Sequence, residues 1–412
     1  MKIAMLVNNL ATSGGYQKLV LRLGQELKVL GHEITIYTPR LDTRVCYPEF
    51  IDQLSVCTLP QKVVEPVYLF ERACTALRLR GKFKEIFPWK EVASLVKKDT
   101  EYIIYHDEQS LLAVTYLASL RAKTAWMVNN QLSRDFLPTS RLFQEQIKKL
   151  LLRPSFILQM IHLPFLMLRH RRLLHAARNL DFIGVYDLYN KNDVQIKTGC
   201  LATIVYAGAD TAQFSAVGVG REKHSPARIL SVGVLYPYRR NEDLIEAMAL
   251  LQDKLVTLTI VGSSAFAPEY RKKLQSCIER HNLENRVEIL ERLPYQELLN
   301  LYKEADVFAF VNDGHTWGIA VFEAIAARLP VIITNNIGAV DLIKTEEEEF
   351  GWVVPPQCPE KIADAITAIL DNPAHAKTIT ERAYQKILPV VSWNAYARRM
   401  VNLTKNVCSN RI

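Results

Sequence analysis

A chain of 412 residues is long for a single hydrophobic core and points to two domains of roughly 200 residues each. A hydrophobic share of 49%, a charged share of 23% and a mean hydropathy of +0.00 exclude a disordered or fibrous protein. A net charge of +8 favours an acidic partner: nucleic acid, an anionic membrane or a phosphorylated substrate. The sequence has no aromatic platform or recognition motif for nucleic acid, so that class is set aside. Seven widely scattered cysteines, with no CxxC pair, fit a reducing compartment. The first apolar run stops at Asn8, too short for a signal peptide, and the expected location is the cytoplasm.

Strand and helix signals alternate from the start. KIAMLV is a short apolar run, a loop with Gly14 and Gly15 follows, and Tyr16 opens a stretch of helical apolar spacing that stops at Gly31. EITIYTP is the next strand, and a βαβ beginning implies a parallel sheet with helices on both faces. EYIIYHD ends on His106 and Asp107, and TAWMVNN ends on Asn129 and Asn130. Polar residues at the carboxyl ends of such strands lie where open α/β sheets bind ligands. Asp107 equally suits a helix cap in a strand-end turn.

Between these strands and DFIGVYD lies a distinct segment, residues 147–174. Its interrupted apolar centre is flanked by Lys148, Lys149 and Arg153 on one side and Arg169, Arg171 and Arg172 on the other. The centre is too short to span a bilayer and holds Pro154 and Pro164, so an interfacial segment against anionic lipid is expected. A pair of core helices with solvated ends is the alternative.

ATIVYAGAD closes the first half, and a Gly-, Ser- and charge-rich linker, 215–227, leads to RILSVGVL, NEDLIEAMALL, VTLTIVG and YRKKLQSCIERHNL. RVEILE, a helix over Tyr295–Glu304, VFAFVN, a helix over Gly318–Ala327 and PVIITN continue the alternation. The chain reads as two doubly wound α/β domains in tandem, 1–215 and 225–385, with 386–412 as a terminal helical piece. Glu346 to Glu349 are expected to form a solvated turn.

Gly14 and Gly15 between strand and helix suit a ligand at a helix N-terminus, but equally a tight turn. The stretch is not GxGxxG and no acid closes the second strand, which argues against a nicotinamide enzyme. Arg239 and Arg240 lie just beyond the first strand of the second domain, at a helix start, where two guanidinium groups would suit a diphosphate. Glu323, one turn into its helix, could accept both hydroxyls of a vicinal diol, or merely complement the helix dipole. No metal-ligand spacing, Ser/His/Asp set or P-loop is present in the sequence.

Taken in order, SGGYQKLVLRLGQELKVLGHEITIYTP, VYAGADTAQF, VGVLYPYRRNEDLIEAM, LTIVGSS, RVEILERLPYQELLNLYKEADVFAFVN, WGIAVFEAIAARLPVI, NNIGAVDLI and Ser392–Trp393 resemble the retaining GT-B glycosyltransferases of family 4 over nearly the whole chain. The resemblance implies two Rossmann-like domains facing an interdomain cleft. It implies a nucleotide-diphosphate sugar held mainly by the second domain, a glycan or lipid-linked acceptor held by the first, and no metal or other cofactor. It also implies a last helix that crosses back to the first domain.

Carried over, Arg239 matches the basic position on the diphosphate, Glu323 the second glutamate of a paired motif, and Gly14 and Gly15 the loop near the sugar phosphate. Arg240, Gly318 and Ile319 complete the donor side; Tyr16, His106, Asp107, Asn129 and Asn130 are the acceptor-side candidates. Three positions depart from the pattern. His315, eight residues before Glu323, stands where the first glutamate is expected and joins Arg239 and Glu323 as a catalytic candidate; Val234 stands at an arginine position; Asn129 or Asn130 stands at a histidine position. An active, divergent, membrane-peripheral transferase is the leading expectation, and a catalytically silent sugar-nucleotide-binding subunit the alternative.

Overall fold

A computed structural model describes residues 1–12, 14–59, 88–129, 132, 169–220, 223–291 and 293–404. Two compact units emerge, one of Met1–Tyr206 with Tyr396–Ile412, the other of Ala207–Ala395.

The first unit is built on a seven-stranded, all-parallel sheet: β1 Lys2–Leu6, β2 Glu33–Thr38, β3 Ser55–Thr58, β4 Tyr102–Tyr105, β5 Lys123–Val128, β6 Phe182–Val185 and β7 Thr203–Ile204. Its spatial order is β3-β2-β1-β4-β5-β6-β7, so the winding reverses between β1 and β4. Every residue of β4 and β6 is buried, as expected where helices cover both faces of a parallel sheet. β3 has no matching expectation, since its four residues, SVCT, form too short an apolar run to be read as a strand. Helix α1, Gly15–Val29, lays Leu19, Val20, Leu23 and Leu27 against the sheet; its last turn carries Lys28, and Leu30 caps its carboxyl end.

The second unit repeats the plan with six parallel strands: β8 Ala227–Val232, β9 Val256–Val261, β10 Val287–Leu290, β11 Val307–Phe310, β12 Val331–Thr334 and β13 Trp352–Val354. The order β10-β9-β8-β11-β12-β13 puts the reversal between β8 and β11. In such sheets the helices on either side of the reversal diverge and leave a crevice at the strands' carboxyl ends. Four helices of this unit matter to the site. They are α2 Thr211–Val217, α3 Asn241–Leu250, α4 Tyr295–Glu304 and α5 Ile319–Ala326.

The division falls nine residues before the expected boundary at 215, for a packing reason. Phe214 of α2 is fully buried, with its ring edge-on to Tyr302 of α4 at 4.7 Å, and this draws the segment onto the second unit. At the other end, the final helix, Trp393–Leu403, contributes to both units. The Trp393 indole donates to Asp210 at 2.7 Å. The Arg399 guanidinium donates to the carbonyls of Val205 and Tyr206, at 2.8 Å each, and Tyr102 donates to the Met400 carbonyl. Glu348 of the acidic run is ion-paired with Arg382 and Lys386.

Of the basic apolar segment, residues 147–168 lie outside the described residues. At its far end Leu173 is buried in the first unit's core, Arg169 is buried, and Arg171 and Arg172 are exposed. No described helix is long and apolar enough to cross a membrane.

Candidate functional site

The second unit's site grows from the end of β8. The chain passes Gly233, makes a single helical turn at Pro237–Arg239, and enters α3 through Arg240, whose φ of +47° is left-handed. This junction separates the fates of two neighbouring arginines. Arg240 turns toward α3, where its guanidinium forks onto Asp243 (Nη2–Oδ1 2.6 Å, Nε–Oδ2 3.2 Å) and lies 3.4 Å from Glu242. Arg239 turns back over Gly233, and its guanidinium carbon lies 4.5 Å from the centre of the Phe310 ring. Its Nε and Nη1 are enclosed and have no hydrogen-bond partner. Burial pulls its pKa below the usual arginine value, yet a guanidinium stays protonated in protein surroundings. A charged fork with two unused donors, set against the Phe310 and Tyr238 rings at the sheet's reversal point, could receive an anion.

Other polar groups lie on the same sheet edge. Asn312, just past β11, is fully buried; its amide donates to the Gly314 carbonyl while its Oδ1 has no partner. Thr334 Oγ1, at the end of β12, and Asn336 Oδ1, two residues beyond, are likewise enclosed without a partner. Sequence reasoning passed over Asn312, Thr334 and Asn336, although the rule applied to His106 and Asn129, polar residues where apolar strands end, would have found them.

The loop carrying His315 is tied on both sides. Asp313 N–H donates to the Tyr238 carbonyl at 2.7 Å, and the Thr316 and Trp317 carbonyls accept from Gly338 and Ala339 at 2.8 and 3.0 Å. His315 Nδ1 lies 3.2 Å from the Asn336 carbonyl, which can only accept. Nδ1 is therefore the donor of that bond. Gly318, at φ +85°, makes the left-handed entry into α5 that brings Ile319 to its first turn. Glu323 is 8% exposed and accepts from the Tyr302 hydroxyl at 3.4 Å. Burial, and then Glu323 itself, push the Tyr302 pKa well up, so that hydroxyl remains a donor.

In the first unit the candidates gather where β1 and β4 end. Gly14 is extended (φ −173°) and Gly15 begins α1, which has no side-chain cap. Asp107 accepts from Tyr16 Oη at 2.6 Å and from the Asn8 N–H at 2.7 Å, and its other oxygen accepts from the Ser110 N–H at 2.8 Å, where the Ser110–Ala113 turn begins. Burial raises its pKa, an effect its donors oppose. His106, in contrast, is 1% exposed with Nε2 unpartnered, and burial drives its imidazole down to about 3. Its ring is a neutral occupant of the interior. Asn129 donates to the His106 carbonyl and accepts from Tyr186, bridging the ends of β4 and β6. Asn130 lies outside the described residues. No cluster that could hold a metal occurs among the described residues.

Comparison with known proteins places these features in a family context. Residues 217–386 match the profile of glycosyl transferases group 1. An uncharacterized glycosyltransferase of Methanocaldococcus jannaschii is 30% identical over 178 residues, 43% of this chain and 44% of that protein. A D-inositol 3-phosphate glycosyltransferase of Corynebacterium glutamicum is 27% identical over 183 residues, 43% of each chain. The chain thus spans about half the length of the curated relatives it matches. Among solved structures, a glycosyltransferase of Rickettsia africae superposes with a TM-score of 0.71 at 16% identity, covering 98% of both chains. Anabaena HepE, solved with UDP and glucose, does so with a TM-score of 0.71 at 15% identity, covering 98% of this chain and 100% of its own. The chain has the GT-B fold, and its second unit carries a region that matches glycosyl transferases group 1.

Proposed function

We propose that the protein is a retaining, metal-independent glycosyltransferase that moves a sugar from a nucleotide-diphosphate donor to a glycan or lipid-linked acceptor. The observation that carries this reading is the Arg239 guanidinium, whose enclosed Nε and Nη1 have no hydrogen-bond partner, at the reversal point of the second sheet. In water-poor surroundings a cation costs free energy unless an anion joins it, and a diphosphate is the anion that this reading supplies. Asn312, Thr334 and Asn336 add donors and acceptors along the same edge, and Glu323, held by Tyr302, would accept the hydroxyls of the ribose. His315 would hydrogen-bond a hydroxyl of the transferred sugar. Such chemistry leans on positioning and on stabilising the departing diphosphate's charge, both of which Arg239 would serve. A peripheral position on an anionic membrane belongs to the same proposal and rests on the exposed Arg171 and Arg172 and on the charge pattern of residues 147–174.

The test is a thermal-shift and hydrolysis screen against a panel of nucleotide sugars, with Arg239→Ala and Glu323→Ala alongside. The reading holds if one donor stabilises and is slowly hydrolysed by the wild type and both variants lose this. If no nucleotide sugar binds, it fails.

His315 favours a second reading, a sugar-nucleotide-binding subunit without activity, because it brings an imidazole where a carboxylate would be expected. Restoration of turnover from nothing by His315→Glu would support that reading; loss of existing turnover would exclude it.

A further inference from the structure

We propose that Asp107 and Tyr16 are a positioning pair that fixes the Gly14–Gly15 turn at the reversal point of the first sheet, and that neither residue holds the acceptor. The inference rests on the transferase reading above and assigns these two residues a different role within it.

The argument is one of hydrogen-bond capacity. An ionised carboxylate offers about four acceptor positions. Asp107 Oδ2 receives the Tyr16 hydroxyl at 2.6 Å and the Asn8 N–H at 2.7 Å, and the Ser110 N–H reaches Oδ1 at 2.8 Å. Three of those positions, with both oxygens engaged, are taken by its own chain. The carboxylate is thus committed to the strand-end junction, which favours a positioning part over that of acceptor ligand or general base.

Its donors instead define a junction. Asn8 follows β1, Ser110 follows β4, and Tyr16 belongs to the first turn of α1. Only Tyr16 carries that tie to the helix, and it is the residue next to the two glycines. Burial, and then the neighbouring Asp107, push the Tyr16 hydroxyl's pKa well up, so it donates to the carboxylate at every working pH. Gly14 itself imposes no such constraint, because its backbone is extended and the first contact of an added Cβ would be the flexible end of Gln17. The turn's position is therefore held from outside, through Tyr16 and through the Tyr47 hydroxyl, which donates to the Gly14 carbonyl at 3.3 Å.

The pair is tested with Tyr16→Phe, Asp107→Asn and the double variant of the full chain. The readouts are steady-state hydrolysis of the nucleotide sugar that stabilises the wild type, the dissociation constant of that donor, the unfolding midpoint, and amide hydrogen exchange over residues 14–18. The donor is expected to be held mainly by the second unit, with the Gly14–Gly15 turn near only its sugar phosphate, so a positioning role predicts a split. Tyr16→Phe lowers kcat roughly tenfold or more while donor affinity and unfolding midpoint stay within about twofold and about 2 °C of wild type. Exchange over 14–18 speeds up, and the double variant is no slower than Asp107→Asn alone, since both remove one tie. An active wild type with unchanged kcat in Tyr16→Phe overturns the proposal and leaves the transferase reading standing. So does a kcat loss that merely follows loss of folded protein. A wild type that neither binds nor hydrolyses any nucleotide sugar overturns the transferase reading and this role with it.

Discussion

Replacing Arg239 by methionine should make the ligand-free protein more stable and unable to hold its ligand. Two of the guanidinium's donors, Nε and Nη1, are enclosed with no partner, and the group rests on the Phe310 ring. Each unsatisfied buried donor costs about 1–3 kcal/mol, and more for a charged group. A methionine of similar length removes both donors and the charge while keeping a contact with the ring, because thioethers pack well on aromatic faces. After discounting the lost cation–π attraction, about 0.5–2 kcal/mol, a net gain of roughly 1–3 kcal/mol is expected. The same change removes charge-assisted bonds worth about 1.5–3 kcal/mol each to a diphosphate, so affinity should fall by roughly a hundredfold or more. Urea unfolding of both proteins without ligand, with calorimetric titration of the stabilising nucleotide sugar, measures the two effects. A methionine variant at least 1 kcal/mol less stable than wild type without ligand would refute the reasoning, for it would mean that Arg239 is a structural member of its neighbourhood.

Arg240→Ala should leave donor affinity within about threefold, since that guanidinium is already committed to Asp243 and Glu242; the same titration checks it. His106 makes a pH prediction. Its imidazole drops from an ordinary 6.5 to about 3, so the unfolded chain binds a proton that the folded one refuses, and stability falls as pH falls through that window. Between pH 7.5 and 4.5 the loss should be roughly 2–3 kcal/mol, and His106→Gln should lack this part of the loss in urea titrations at the two pH values. Gly262→Ala should destabilise the second unit by more than about 2 kcal/mol, because the new methyl would sit 1.8 Å from the Gly233 carbonyl oxygen, backbone against side chain; the unfolding midpoint reads it directly.

Much of this architecture is local information. Alternating apolar strands and amphipathic helices predict a doubly wound pair of sheets, and most expected runs contain a strand because a parallel strand buried on both faces must be apolar throughout, although β7 keeps only Thr203–Ile204 of ATIVYAGAD and β8 stops at Val232. The short helix over Ile319–Ala326 and the left-handed Gly318 before it are equally legible, since only glycine enters that backbone region without strain.

What composition and spacing could not decide is which of two similar side chains meets the ligand. Arg239 and Arg240 are adjacent and chemically identical, and a left-handed backbone at Arg240 sends one onto Asp243 and the other over Gly233. His106 and Asp107 end the same strand, yet alternation along the strand buries one imidazole in the interior and turns the other carboxylate toward Tyr16 and Asn8. Asn312, Thr334 and Asn336 stand at the ends of two strands far along the chain from Arg239, and only the pairing of β11 with β8 and β12 puts them on one edge. The sequence alone determined the elements, because burial and backbone freedom are read residue by residue. Tertiary structure decided the site, because hydrogen-bond partners and enclosure depend on which strand ends the sheet order sets side by side.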